Sequence, residues 1–238
     1  MKIVRTHDAI YLSENRYSKP KEMFKFIEKR AFGNKVSLKG ENICDFGCAA
    51  GEFLFYLRKK HPDKDFCGVD TRSDLLRKAR KFLPDVKFYK SSVLNGKSFP
   101  TNYFNKCFLI GVHPIFDDFE KCFSNLIYWT KSKGKIFICD MFNPYPVDVL
   151  LKYRLSTNYK MKAFESGWNI FSEKSVSTFL KKNKLVKNFT FEKFEMSFDL
   201  KPQRDPIRSW TIKSNNKRLM INGLSIIQPQ TLLSISLK

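Results

Sequence analysis

The segment from Ile43 to Asp70 constrains the fold more than any other part of this chain. It opens with a short apolar run, Ile43-Cys44-Asp45-Phe46, which breaks into a turn of small residues, Gly47-Cys48-Ala49-Ala50-Gly51. The turn leads into a helical pattern of Phe53, Leu54, Tyr56 and Leu57 that closes on Arg58, Lys59 and Lys60. A second apolar run, Phe66-Cys67-Gly68-Val69, ends on Asp70. Strand, glycine turn, helix, strand and terminal acid make the nucleotide-binding half of a doubly wound α/β fold. Gly47 and Gly51 let the backbone turn sharply and approach a ligand where a Cβ would collide. The first turn of the helix offers unpaired N–H groups to a polar ligand. Asp70, at the carboxyl end of its strand, can accept hydrogen bonds from both hydroxyls of a ribose.

The turn lacks the G-x-G-x-x-G/A spacing of a dinucleotide site. With Asp45 two residues ahead of Gly47, it instead resembles the first motif, D-x-G-x-G-x-G, of class I S-adenosylmethionine-dependent methyltransferases, with Ala49 in place of the middle glycine. The resemblance covers about Asn42 to Asp140 well and the rest in outline. It implies S-adenosylmethionine (SAM) as cofactor, held by Gly47, Cys48, Ala49 and Gly51, with Asp45 beside the methionine moiety. It also places Asp70 on the ribose and Thr71 next to it. After the strand Val86–Tyr89 the family often carries Gly-Asp-Ala, whose acid bonds the adenine amine. Here Ser92 stands at the acid's position and Val93 follows, supplying the backbone N–H for a ring nitrogen. Gly111, at the end of the fourth strand, falls to the cofactor as well. In many relatives a leading segment covers the cofactor, and an Arg or Tyr in it touches the carboxylate. Arg16 and Tyr17 are the candidates, with ordinary surface packing as the alternative.

Elsewhere the pattern predicts a helix over Lys21–Ala31 and a basic helix over Asp74–Phe82, capped by Ser73 and ended by Pro84. Strands are expected at Lys106–Val112 and Lys135–Asp140. Between them lies a helix carrying Phe119, Cys122, Phe123, Leu126 and Ile127, and then a turn at Lys133-Gly134. Ser172 is expected to cap a helix over Glu173–Lys182, followed by a long strand, Val186–Leu200. Arg208–Lys213 and Lys217–Ile221 read as a hairpin around Asn215-Asn216, and Leu232–Leu237 as a closing strand. The expected architecture is one α/β domain, a doubly wound, mostly parallel seven-stranded Rossmann-like sheet with an insertion after the fifth strand and a late β-hairpin. Its parts are a cofactor-covering segment (1–40), the cofactor-binding core (41–140), a lid-like insertion (141–170) and the closing elements (171–238).

Ligands in such sheets bind outside the carboxyl ends of the strands. His113, directly after the fourth strand, is the expected base for an oxygen acceptor, because imidazole titrates near neutrality; packing at the strand end is the alternative. Asp140 either borders the acceptor pocket or merely ends its strand, and Asp117 reads as a helix-starting carboxylate. Asn143-Pro144-Tyr145 lacks the second proline of the N-P-P-Y signature of nucleic-acid amino-methylating enzymes and follows the fifth strand instead of the fourth. Asn143, Tyr145 and Trp168 are the expected substrate contacts. The aromatics of the insertion, Phe142, Tyr145, Tyr153, Tyr159, Phe164 and Trp168, form either a lid over the acceptor or a satellite core.

Composition narrows the partners. No apolar run approaches the roughly 20 residues of a membrane span, and the N-terminus meets charge too early for a secretory signal. Asn188-Phe189-Thr190 is therefore read as a chance sequon. The six cysteines show no C-x-x-C pair, and the three histidines are scattered, so no metal site is expected and buried thiols in a reducing cytoplasmic compartment are. The net charge of +21 first suggests nucleic acid. Lysine outnumbers arginine 33 to 11, however, and the excess is spread along the whole chain. The expected activity is methylation of a small, anionic acceptor such as a phosphorylated metabolite or nucleotide-linked sugar, with oxygen as the acceptor atom. RNA methylation and a non-catalytic SAM-fold binding protein are the alternatives, and the oligomeric state stays open.

Overall fold

The computed structural model describes residues 6–33, 39–158, 160 and 164–238, so the expected lid aromatic Tyr159 lies outside the described residues. A 3-10 turn (Thr6–Leu12) precedes α1 (Glu22–Phe32), β1 (Asn42–Phe46), α2 (Glu52–Lys60), β2 (Asp65–Asp70), α3 (Ser73–Phe82) and β3 (Lys87–Lys90). The second half runs β4 (Phe104–Ile110), α4 (Glu120–Trp129), β5 (Thr130–Asn143), β6 (Lys152–Tyr153), β7 (Glu165–Ser166) and β8 (Phe171–Ser172). It closes with α5 (Glu173–Lys182), β9 (Val186–Lys193), β10 (Trp210–Ser214), β11 (Lys217–Ile221) and β12 (Gln230–Leu237).

Seven strands lie in the order β3-β2-β1-β4-β5-β12-β9, and β8 adds a two-residue pairing to the end of β5. The first five strands pair in parallel, whereas β12 runs antiparallel to both β5 and β9. The central strands are apolar on both faces, as a sheet covered on both sides requires. Cys44, Phe46, Cys107, Leu109, Ile136 and Ile138 face one core with α4 and α5. Their neighbours Ile43, Phe108, Phe137 and Cys139 face a second core with α1, α2 and α3. This two-residue alternation divides the strands between the two layers. Phe46 stacks on the fully buried Trp129 at 5.0 Å, tying α4 to β1. The six cysteines are free and buried.

Several boundaries differ from expectation. β5 continues directly from α4, and Lys133-Gly134 is a bulge within it, where the register steps from Phe104↔Thr130 to Lys106↔Lys135. A Cβ on Gly134 would stand 2.6 Å from the Thr130 methyl, so glycine is what lets the bulge close. β9 ends at Lys193 and not at Leu200, because its partner β12 supplies no further ladder beyond Thr231↔Lys193. Ser73 is the first residue of α3 and not its cap; Asp74 Oδ1 accepts from Leu75 N instead. Ser172 does cap α5, accepting from Ser175 N at 3.0 Å. β10 and β11 pair around Asn215 (φ +47°) and Asn216 (φ +61°), the left-handed pair that a two-residue hairpin turn demands. No helix among the described residues is long and apolar enough to cross a membrane.

Candidate active site

Strand order reverses between β1 and β4, and a cleft of about 480 Å³ opens there at the carboxyl ends of the strands. The turn after β1 forms its floor. Gly47 (φ +75°) donates its N–H to Val69 O at 2.7 Å, and a Cβ there would collide with a Val112 methyl. Ala49 also takes a left-handed backbone (φ +47°) and donates its N–H to Asp70 Oδ2 at 2.9 Å. Asp70 Oδ1 accepts from Arg72 N at 2.8 Å. A carboxylate has about four acceptor positions, so capacity remains toward the cleft that Asp70 lines. Burial raises the Asp70 pKa, against the opposing pull of the Arg72 and Ala49 N–H groups. Burial first, and Asp70 second, push the Asp45 carboxyl well above the usual carboxylate range.

The structure brings Asp45, Gly47, Cys48, Ala49, Asp70, Thr71, Ser92, Val93 and Gly111 together in the lining of the cleft. Ser92 Oγ accepts from Leu94 N at 3.2 Å. Gly111 has φ +69°, and a Cβ there would meet nothing within 4 Å, standing in the open cleft. These are the dimensions and polar groups of a nucleoside cradle, and they fit SAM. Gly51 is a correction. It does not line the cleft; its missing Cβ admits Ala79 at 3.2 Å and so lets α2 pack on α3.

Other expected residues sit elsewhere. Arg16 pairs with Glu14 at 3.2 Å, and Tyr17 donates from its hydroxyl to Ala50 O at 2.7 Å while stacking on Phe82. Both lie behind the turn, outside the cleft lining. The leading segment does cover the cleft, but through Tyr11, Lys21, Met23 and Phe24. Lys21 was missed because its position before a helix carries no local signal; its ammonium lies 3.5 Å from Glu14. His113 is fully buried and absent from the lining, so it does not face an acceptor as a base would. Its ring stacks on Phe142 with centroids 4.7 Å apart. Asp140 does line the cleft. Asn143 closes a local turn, bonding Val147 O and Tyr145 N, and Tyr145 is 72% exposed; neither reaches the cleft. Trp168 does, held there by its buried neighbour Asn169, which ties the insertion to Pro114 O and Phe116 O. Asp117 pairs with Lys152 and Ser166, while Asp118 is the carboxylate that meets the start of α4.

A family model described as a methyltransferase domain matches residues 37–193. The chain belongs to this family of SAM-dependent methyltransferases. The methyltransferase fold is shared with a SAM-dependent methyltransferase from Archaeoglobus fulgidus (TM-score 0.57, 18% identity, 96% of this chain and 99% of that one). It is also shared with the YcgJ protein of a Bacillus species (TM-score 0.60, 13% identity, 91% and 98%). Among curated proteins, the trans-aconitate 2-methyltransferase of Afipia carboxidovorans is 38% identical over 56 residues, 24% of this chain and 22% of that protein. The match thus spans only about a fifth of the length of these curated relatives.

Proposed function

We propose that the chain transfers the methyl group of SAM to a small acceptor, with oxygen the favoured acceptor atom. One observation carries this reading: the Asp70 carboxylate and the glycine turn, 2.9 Å apart through Ala49 N, face a single cleft of about 480 Å³. The donor supplies a methyl group already activated by sulfonium charge, and the electron pair of the broken C–S bond stays on sulfur. The protein then has to align the acceptor and exclude water. In this reading Asp70 holds the ribose, Ser92 and Val93 the adenine, and Lys21 the methionine carboxylate in place of Arg16 and Tyr17. Phe24, Phe53, Phe116 and Trp168 wall the acceptor end against water.

The charge argument for an anionic acceptor does not carry into the cleft. Among the described residues its charged lining is Asp8, Asp45, Glu52, Asp70 and Asp140, against Lys21 and Arg72. Arg72 is already engaged, donating from Nε to Asp74 at 3.1 Å. A small carboxylic acid is the second reading, favoured by the trans-aconitate relatives. A cytoplasmic location belongs to the same proposal.

Calorimetry with SAM and S-adenosylhomocysteine tests the reading. Both are expected to bind, and SAM at 100 times its Kd is expected to stabilise the fold by about 2.7 kcal/mol. Binding of neither overturns it.

A further inference from the structure

Asp140 and the histidine behind it narrow the acceptor, an inference that rests on the methyl-transfer reading above. Asp140 is 4% exposed and lines the cleft. Its Oδ2 accepts from Val112 N at 2.8 Å and its Oδ1 from Met141 N at 3.2 Å. Each oxygen keeps acceptor capacity beyond that one backbone bond. On the far side, His113 Nδ1 lies 3.2 Å from Asp140 Oδ2. That contact is off the line of a hydrogen bond, and among the described residues neither ring nitrogen has an aligned partner. A buried imidazole always presents at least one polar nitrogen, and leaving it unpaired is costly. Phe123, Phe142 and Phe171 enclose the imidazole, so it acts on the cleft only through Asp140.

We propose that the acceptor presents a proton-bearing nucleophile, a hydroxyl or an amine, to Asp140, and that His113 is the positioning residue that fixes this carboxylate from behind. The X–H bond breaks and its electron pair stays on the acceptor atom to form the new bond to the methyl carbon. The proton passes to an Asp140 oxygen, and His113 keeps its own. A carboxylate nucleophile has no proton to surrender and sets a second negative charge against Asp140.

The test gives the purified chain radiolabelled SAM with a panel of small alcohols, phenols and amines, set against carboxylic acids lacking both groups, trans-aconitate among them. Label is expected in the hydroxyl or amine arms. Asp140→Asn is expected to lower kcat on the best acceptor about 100-fold while the SAM Kd, read by calorimetry, stays within about twofold. His113→Phe keeps the ring stack and is expected to lower kcat about tenfold, whereas His113→Asn, which returns a donor near Nδ1, restores most of it. Independently of turnover, Asp140→Asn is expected to move the His113 ring-nitrogen NMR signals and leave those of His61 in place. Label in the acid arm alone, or in none, overturns the proposal. So does wild-type kcat in Asp140→Asn or unmoved His113 signals. Failure of the wild-type chain to bind SAM strikes instead at the methyl-transfer reading.

Discussion

Ala49 holds a backbone conformation that costs a non-glycine residue about 1–2 kcal/mol. Its N–H bond to Asp70 is what the strain secures. Ala49→Gly relieves that strain but gives the unfolded chain more freedom, worth about 0.4–1 kcal/mol. The net expectation is a gain of up to about 1 kcal/mol, read as a melting temperature raised by about 2–4 °C; a lowered one contradicts this account. Asp70→Ala removes the carboxylate proposed to hold the ribose, which is also the acceptor for two backbone N–H groups. Hydrogen bonds to a charged group are worth about 1.5–3 kcal/mol each, so SAM affinity is expected to fall by about 100-fold or more. Near-native affinity by calorimetry moves the ribose elsewhere. The wall of the cleft from Asp45 to Ala49 was legible in the sequence because a strand-turn-helix unit is local. The direction of His113 was not, because the packing of Phe123 and Phe142 sets its ring.

At the scale of elements, the segment ahead of α1 is held over the cleft by a buried carboxylate. Glu14 accepts from Arg208 Nη2 at 2.6 Å and from Arg16 Nε at 3.2 Å, with Lys21 at 3.5 Å. Lys78 of α3 donates to Leu12 O at 3.0 Å, a second tie. Burial pushes the Glu14 pKa up, yet Lys21, Arg208 and Arg16 outweigh it and bring it down to about 2. A folded pKa below the unfolded one gives stability that is present above about pH 4.5 and lost as pH falls toward 2. The shift amounts to about 3 kcal/mol. Urea denaturation of Glu14→Gln is expected to show a lower stability than wild type at pH 7, with the difference closing between pH 4.5 and 2. A constant difference across that range removes the role. Helix spans could be read from apolar spacing, and the hairpin from Asn215-Asn216. The limits of β5 and β9 could not, since the partner strand decides where a ladder stops. Nor could the Glu14–Arg208 contact, which spans 194 residues of sequence.

The charge of the whole molecule, +21, is legible as a number but not as a location. Its cleft is lined mainly by acids, so the lysines form a general coat. RNA binding is therefore expected to be weak and indifferent to sequence, with Kd about 10⁻⁴–10⁻⁶ M at physiological salt and steep weakening as salt rises. Tight, salt-resistant binding in a filter assay returns the RNA alternative to the front. The placement of β12 bears on how such a molecule is made. β12 follows β5 and β9 in the chain yet slots between them, bonding β5 through seven residue pairs on one side and β9 on the other. Until it arrives, the edges of β5 and β9 that it pairs stand open as templates for a wrong neighbour. A premature stop codon ahead of Gln230 thus costs the nascent chain the seam of its sheet.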